Sequence, residues 1–221
     1  MPTESPHHRE GIALAAAALA ALALYALLAH RLIVSADRSA LAYLFAMSTL
    51  YVAAIAFAWS SRRRWGWIAA ATAAFAIGWQ AQQRIDWDPR WIYLVQHAGA
   101  HGALGIVFGS TLRRGVLPLV TRLALAVHGA LPPAIAHHTR RVTVAWTVYF
   151  AAMTAASIGL FAAGWMTAWS VLANFLTPPA IVALFVGEYL LRRRRFPDFA
   201  HVPLLEGVRA YARRGRGGTA R

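Results

Sequence analysis

The amino-acid sequence predicts an all-α, polytopic membrane helix bundle of six transmembrane helices with both termini in the cytoplasm. Three observations carry that prediction. Of 221 residues, 59% are hydrophobic and 14% charged, against roughly 45–50% and about 25% in an average soluble domain. The mean hydropathy is +0.47, and the apolar residues fall into runs of about 20 with short polar stretches between them, the length needed to cross a hydrocarbon core of about 30 Å. Arginine is also distributed unequally between alternate loops, as cytoplasmic loops require.

The first run, 12–29, carries no charge and is flanked by Arg9 and Glu10 before it and by His30 and Arg31 after it. It exceeds the ~7–15 apolar residues of a signal-peptide core and is expected to be a retained span, although Val34-Ser35-Ala36 would suit cleavage. The second, 40–59, stops at Arg62-Arg63-Arg64. The third, 65–82, is the shortest in apolar content and borrows Gln80 and Gln82 to cross. The fourth, 91–112, is long enough but contains Gln96, His97 and His101. A fifth span is expected at 142–164 and a sixth at 169–191, the latter containing Asn174, Pro178, Pro179 and Glu188.

Six spans with both ends inside place Arg9, Arg62 to Arg64, the five arginines of the 113–141 loop and the nine from Arg192 onward on one face, 18 of the 22. The other face has Arg31, Arg38, Arg84 and Arg90. Omitting the third span alone would move the five-arginine loop outside, so the count argues for it. Asp37, Asp86 and Asp88 fall outside, and Trp59, Trp65, Trp79, Trp91, Trp165 and Trp169 stand at span ends, where aromatic belts form. The implied address is the bacterial inner (plasma) membrane.

The chain has no Cys, and every basic residue is Arg, which excludes thiol nucleophiles, disulfides, Walker-type phosphate loops and Lys Schiff bases. A net charge of +14 would point to nucleic acid in a soluble domain. Here most of the charge lies beside span ends, and the expected partner is the anionic inner leaflet, not nucleic acid. The apolar stretch 118–128 within the 113–141 loop is expected to lie on that leaflet as an amphipathic helix. In the basic tail, 192–221, the spacing of Leu204, Leu205, Val208, Tyr211 and Ala212 predicts a second amphipathic helix at about 203–214.

Polar groups inside a bilayer are costly and therefore candidates for function. His97, His101, Gly105 and Gly109 form one i+4 ridge, two imidazoles followed by two glycines that let another backbone approach. The small residues Ala151, Ala155 and Gly159 form a similar ladder expected to serve helix packing. In the sixth span Pro178 and Pro179 remove two backbone donors, so a break or kink beside Asn174 is expected. Six and ten residues into the fourth and sixth spans, His97 matches Asn174 in depth and His101 matches Pro178, about 9 and 15 Å from the outer surface. Gln96, His97, His101, Asn174 and Pro178 are thus the expected lining of a polar pocket in the outer half, within reach of His30. No cofactor is expected. Ligation of metal or haem by His97 and His101 is the redox alternative, and Glu188 is expected to pair with Arg192 one turn on.

From Gly105 to Arg195 the chain resembles a poorly characterised family of proteobacterial multi-pass inner-membrane proteins, some of which accompany polyketide- or fatty-acid-type synthases for aryl polyene pigments. The resemblance rests on Leu131-Pro132, His138-Thr139-Arg140, Val142-Thr143, Trp146, Phe150, Asn174 and Glu188 followed by Arg. The chain departs from the family pattern at His138, Met153 and Ala173 to Phe175. The resemblance implies a non-enzymatic accessory or small-molecule- or lipid-handling role beside such a synthase. The enzymatic alternative is an acyl- or lipid-transferring protein with His97 or His101 as general base, which would call for an Asp or Ser at matching depth.

Overall fold

Every element of the computed structural model is helical, and it describes residues 6–36, 39–59, 61–85 and 88–197. The order is α1 (Pro6–Val34), α2 (Ala40–Trp59), α3 (Arg64–Arg84), α4 (Arg90–Ser110), α5 (Leu119–His128), α6 (Pro133–Ala162), α7 (Met166–Val171), a π-helical turn (Leu172–Leu176) and α8 (Thr177–Arg195). Each of the six expected spans coincides with helix. Four segments are long and apolar enough to cross a membrane: Glu10–Val34, Ala40–Trp59, Pro133–Ala162 and Met166–Arg195. Helices α3 and α4 have 21 residues each, about 31 Å at 1.5 Å per residue, but their apolar character is diluted by glutamine, histidine and terminal arginine. The expected tail helix at 203–214 lies outside the described residues, as does Asp86.

The chain divides into two units, residues 1–96 with 159–178, and residues 97–158 with 179–221. In the first, the core is built from Ala29 and Ile33 of α1, Tyr43 and Ala46 of α2, Ile92 and Tyr93 of α4, Phe161 of α6 and Trp169 of α7. Trp169 is fully buried and meets Phe161 edge-on at 5.5 Å, while Trp91 packs on Phe161 at 4.8 Å. The turn from α6 to α7 is a Schellman motif. The N–H of Trp165 bonds the carbonyl of Leu160 and that of Gly164 the carbonyl of Phe161, and Gly164 supplies the required positive φ of 73°. Helix α3 has no buried residue and shows Trp65, Trp67 and Ile77 outward.

In the second unit, Trp146 is buried between Phe150 at 5.4 Å and Phe185 of α8 at 4.7 Å. Gly105 brings α4 close to α6, for a β-carbon there would stand 3.4 Å from that of Phe150, and one on Gly109 would stand 3.2 Å from the Thr147 methyl. The two glycines of the α4 ridge thus face α6 where a β-carbon would have little room. The small-residue ladder of α6 lies on an exposed face. Ala151, Ala155 and Gly159 are exposed, and α6 instead buries Thr143, Trp146, Phe150, Met153, Ser157 and Phe161. Large side chains remove more apolar surface from the surroundings than alanine, so they decide which face turns inward.

Helix α6 starts nine residues before the expected span, at Pro133, a residue suited to a first helical position. Helix α5 forms within the expected amphipathic stretch, with a face docked on protein. Its N-cap, Pro118, has no side-chain oxygen. The first N–H groups of the helix are satisfied instead by hydroxyls of its neighbours, Leu119 by Thr111 at 3.0 Å and Val120 by Thr143 at 3.3 Å. Thr121 of α5 bonds Thr139 of α6 at 2.8 Å.

Candidate functional site

The sixth expected span is the least regular element. Pro178 and Pro179 carry no N–H and crowd the preceding turn, so an α-helical ladder fails just before them. The chain answers with a π turn rather than a full break. The Thr177 N–H bonds the Leu172 carbonyl five residues back, and the Thr177 hydroxyl donates to the same oxygen at 2.8 Å. Helical structure is therefore continuous across the proline pair, with one widened turn, a feature that recurs at functional sites.

Asn174 lies on that turn. Its amide Nδ2 donates to the Ser170 carbonyl at 3.0 Å and to Ser170 Oγ at 3.1 Å. Ser170 Oγ also bonds His30 Nδ1 of α1 at 3.0 Å. Ser170 is completely buried, so its hydroxyl depends on these two partners, accepting from Asn174 and exchanging a bond with His30 whose direction follows the imidazole tautomer. The His30 ring meets Phe175 edge-on, 5.6 Å between centroids. The cluster thus joins an amide, a hydroxyl and a half-buried imidazole to an aromatic wall.

The second unit has its own hydroxyl–imidazole pair. His97 Nδ1 lies 3.1 Å from Ser157 Oγ, and Ser157 is completely buried. His101 Nδ1 lies 2.8 Å from the His97 carbonyl. A carbonyl only accepts, so this nitrogen is the donor. The two rings stand 4.4 Å apart, and His101 has Tyr149 and Phe150 at its edge, each at 6.0 Å. Among the described residues no group of three or more His, Cys, Asp or Glu could hold a metal ion.

Of the expected pocket residues, Gln96, Asn174 and Pro178 belong to the first unit and His97 and His101 to the second. Gln96 ties α4 to α2, accepting from the Thr49 hydroxyl at 3.0 Å and donating to the Ala46 carbonyl. Pro178 is exposed; its part is in shaping the turn before it. Ser157 and Ser170 were missed by the sequence reading, though Ser170 stands four residues before Asn174 and Ser157 lies inside the fifth expected span, where a hydroxyl needs a partner.

Toward the end of α8, Glu188 meets Arg192 at 3.2 Å, as the i,i+4 spacing requires, and also His138 of α6, whose Nε2 is 3.4 Å away. His138 is almost fully buried and has Phe196 at its edge. At the end of α5, burial and the nearby Arg192 guanidinium hold the His128 imidazole below its ordinary range. No protein-family model, curated protein or solved structure matches the chain.

Proposed function

We propose that this chain is a six-span protein of the bacterial inner membrane, both termini cytoplasmic, that holds a small amphiphilic molecule or lipid at the His30–Ser170–Asn174 cluster. In this reading it is a non-enzymatic accessory protein beside a polyketide- or fatty-acid-type synthase. The observation that carries the binding role is the buried Ser170 hydroxyl, shared by Asn174 and His30 at a π turn. A polar head would exchange bonds with the imidazole and amide, and its apolar remainder would lie against Phe175 and the surrounding lipid. The accessory role beside a synthase rests on the family resemblance.

The test is lipid and metabolite profiling of a deletion strain, rescued by the wild-type gene or by His30→Leu, Asn174→Leu and the double variant. The proposal expects all three to reach the membrane at normal levels and the double variant to leave the profile unrescued. Full rescue by the double variant would make the cluster a packing device.

A second reading, an acyl- or lipid-transferring enzyme, is favoured by the Ser157–His97 pair. There Ser157 Oγ would attack an acyl carbonyl while His97 Nδ1 takes its proton, and the proton would then pass to the departing alkoxide or thiolate. Labelling of Ser157 by a fluorophosphonate, lost in His97→Leu, would establish it, and an unlabelled protein would remove it.

A further inference from the structure

Along one face of α2, Tyr51, Val52, Ile55, Ala56 and Trp59 line a shallow, open apolar groove of about 350 Å³. These positions follow one another at i, i+1, i+4, i+5 and i+8, so the groove runs along the helix for about 12 Å. Its wall is steadied by α3, since Tyr51 Oη bonds Thr72 Oγ1 at 3.1 Å and the Tyr51 ring packs on Phe75 at 5.4 Å.

The groove ends at a cluster of positive charge. Arg62, Arg63 and Arg64 follow within five residues of Trp59, and all three are exposed. The guanidinium carbon of Arg64 lies 5.7 Å from the Trp59 ring centroid and 5.8 Å from that of Trp65, held between two indoles by cation–π attraction. Trp59 is therefore both the last wall of the groove and a support for the charge. Among the described residues no carboxylate pairs with any of the three arginines, which leaves their donors for an external anion.

We infer that this juxtaposition is a binding site for one anionic phospholipid, its acyl chain in the α2 groove and its phosphate on Arg62, Arg63 and Arg64. The apolar groove selects a chain, and the unpaired guanidinium groups beside its end select a headgroup with net negative charge over a zwitterionic one. The inference rests on the proposed topology in one respect, that residues 61–64 face the anionic inner leaflet. Selectivity measured in micelles has no sidedness, so it succeeds or fails independently of that topology.

The experiment uses the full chain in detergent micelles, titrated with phosphatidylglycerol or phosphatidylcholine and read by native mass spectrometry. One phosphatidylglycerol should be retained per chain, at least tenfold more tightly than phosphatidylcholine, and millimolar inorganic phosphate should not displace it. Ala56→Trp, which fills the groove and keeps every arginine, should weaken retention tenfold or more, as should the triple variant Arg62→Gln, Arg63→Gln, Arg64→Gln. Unchanged retention in Ala56→Trp, or equal retention of the two lipids, would overturn the site. Should Ala56→Trp fail to fold, Val52→Cys carrying a bimane label provides the second readout in this Cys-free chain. Phosphatidylglycerol with brominated chains should quench it more strongly than the matching phosphatidylcholine, and equal quenching would equally overturn the inference.

Discussion

Gly78 of α3 occurs where the Tyr43 hydroxyl of α2 fills the space a β-carbon would take. Alanine there would gain helix propensity of about 1 kcal/mol but drive a methyl group into a fully buried tyrosine, at a cost of about 1–3 kcal/mol. Gly78→Ala is therefore expected to destabilise the purified protein, and the same change in a Tyr43→Phe background to be neutral or stabilising. Thermal unfolding in detergent of the four members of that cycle measures the coupling, and additive effects would remove the contact. His128 offers a second check. Its pKa in the folded chain is lowered by burial and by Arg192, so the unfolded chain binds more protons once pH falls below about 6.5. The His128 contribution to stability is then complete above that value and is lost as pH falls through the depressed pKa. NMR titration should find the imidazole midpoint below 6.5 and find it raised in Arg192→Gln. Such pairings were only partly visible in the chain. Glu188 and Arg192 announce themselves by a spacing of four, whereas Glu188 and His138 are 50 residues apart and meet only because α6 and α8 pack together.

Helices α1 and α2 were legible because uninterrupted apolar length is itself the signal. Which face of a helix turns inward was harder to read. Along α6 two stripes compete, the small residues 151, 155 and 159 and the stripe Trp146, Phe150, Met153, Ser157 and Phe161, and burial favours the bulkier one. The π turn was half legible. The proline pair announces that α-helical bonds are lost, but the replacement depends on Thr177 having both an N–H and a hydroxyl directed at one carbonyl. Helix α5 shows the same dependence on distant hydroxyls, and this yields a test. Thr143→Val keeps the shape of the side chain and removes the acceptor of the Val120 N–H, leaving a half-buried donor unpaired at a cost of about 1–3 kcal/mol. Amide exchange should accelerate at the start of α5 and remain unchanged in α2. Unchanged exchange at Leu119 to Thr121 would show that the hydroxyl cap contributes nothing.

Six spans and four spans make nearly the same demands on this molecule. With both termini in the cytoplasm, as proposed, 61–63 and 129–130 would face the cytoplasm and Gly164 outward in either case, because leaving out α3 and α4 together preserves the parity of every later helix. The arginine count is insensitive for the same reason, since only Arg84 and Arg90 change sides. The decisive position is the link between α3 and α4. Both helices reach about 31 Å, and both present large apolar side chains outward, Trp67 and Ile77 on α3, Val95, Ile106 and Val107 on α4. In water those side chains would form an exposed apolar surface with nothing to cover them, whereas in lipid they are solvated. The glutamines Gln80, Gln82 and Gln83 gather in the last turns of α3, beside Arg84, where a helix leaving the hydrocarbon meets headgroups. The six crossings proposed above would suit this surface. A Cys introduced at Ile85 or Asp88, the sole thiol in the chain, should therefore react in intact spheroplasts with a membrane-impermeant maleimide, while a Cys at Ser61 or Gly129 should react only after the membrane is opened. Protection of positions 85 and 88 together with labelling of a Cys at Gly164 would leave four crossings, with α3 and α4 folded back on the cytoplasmic side.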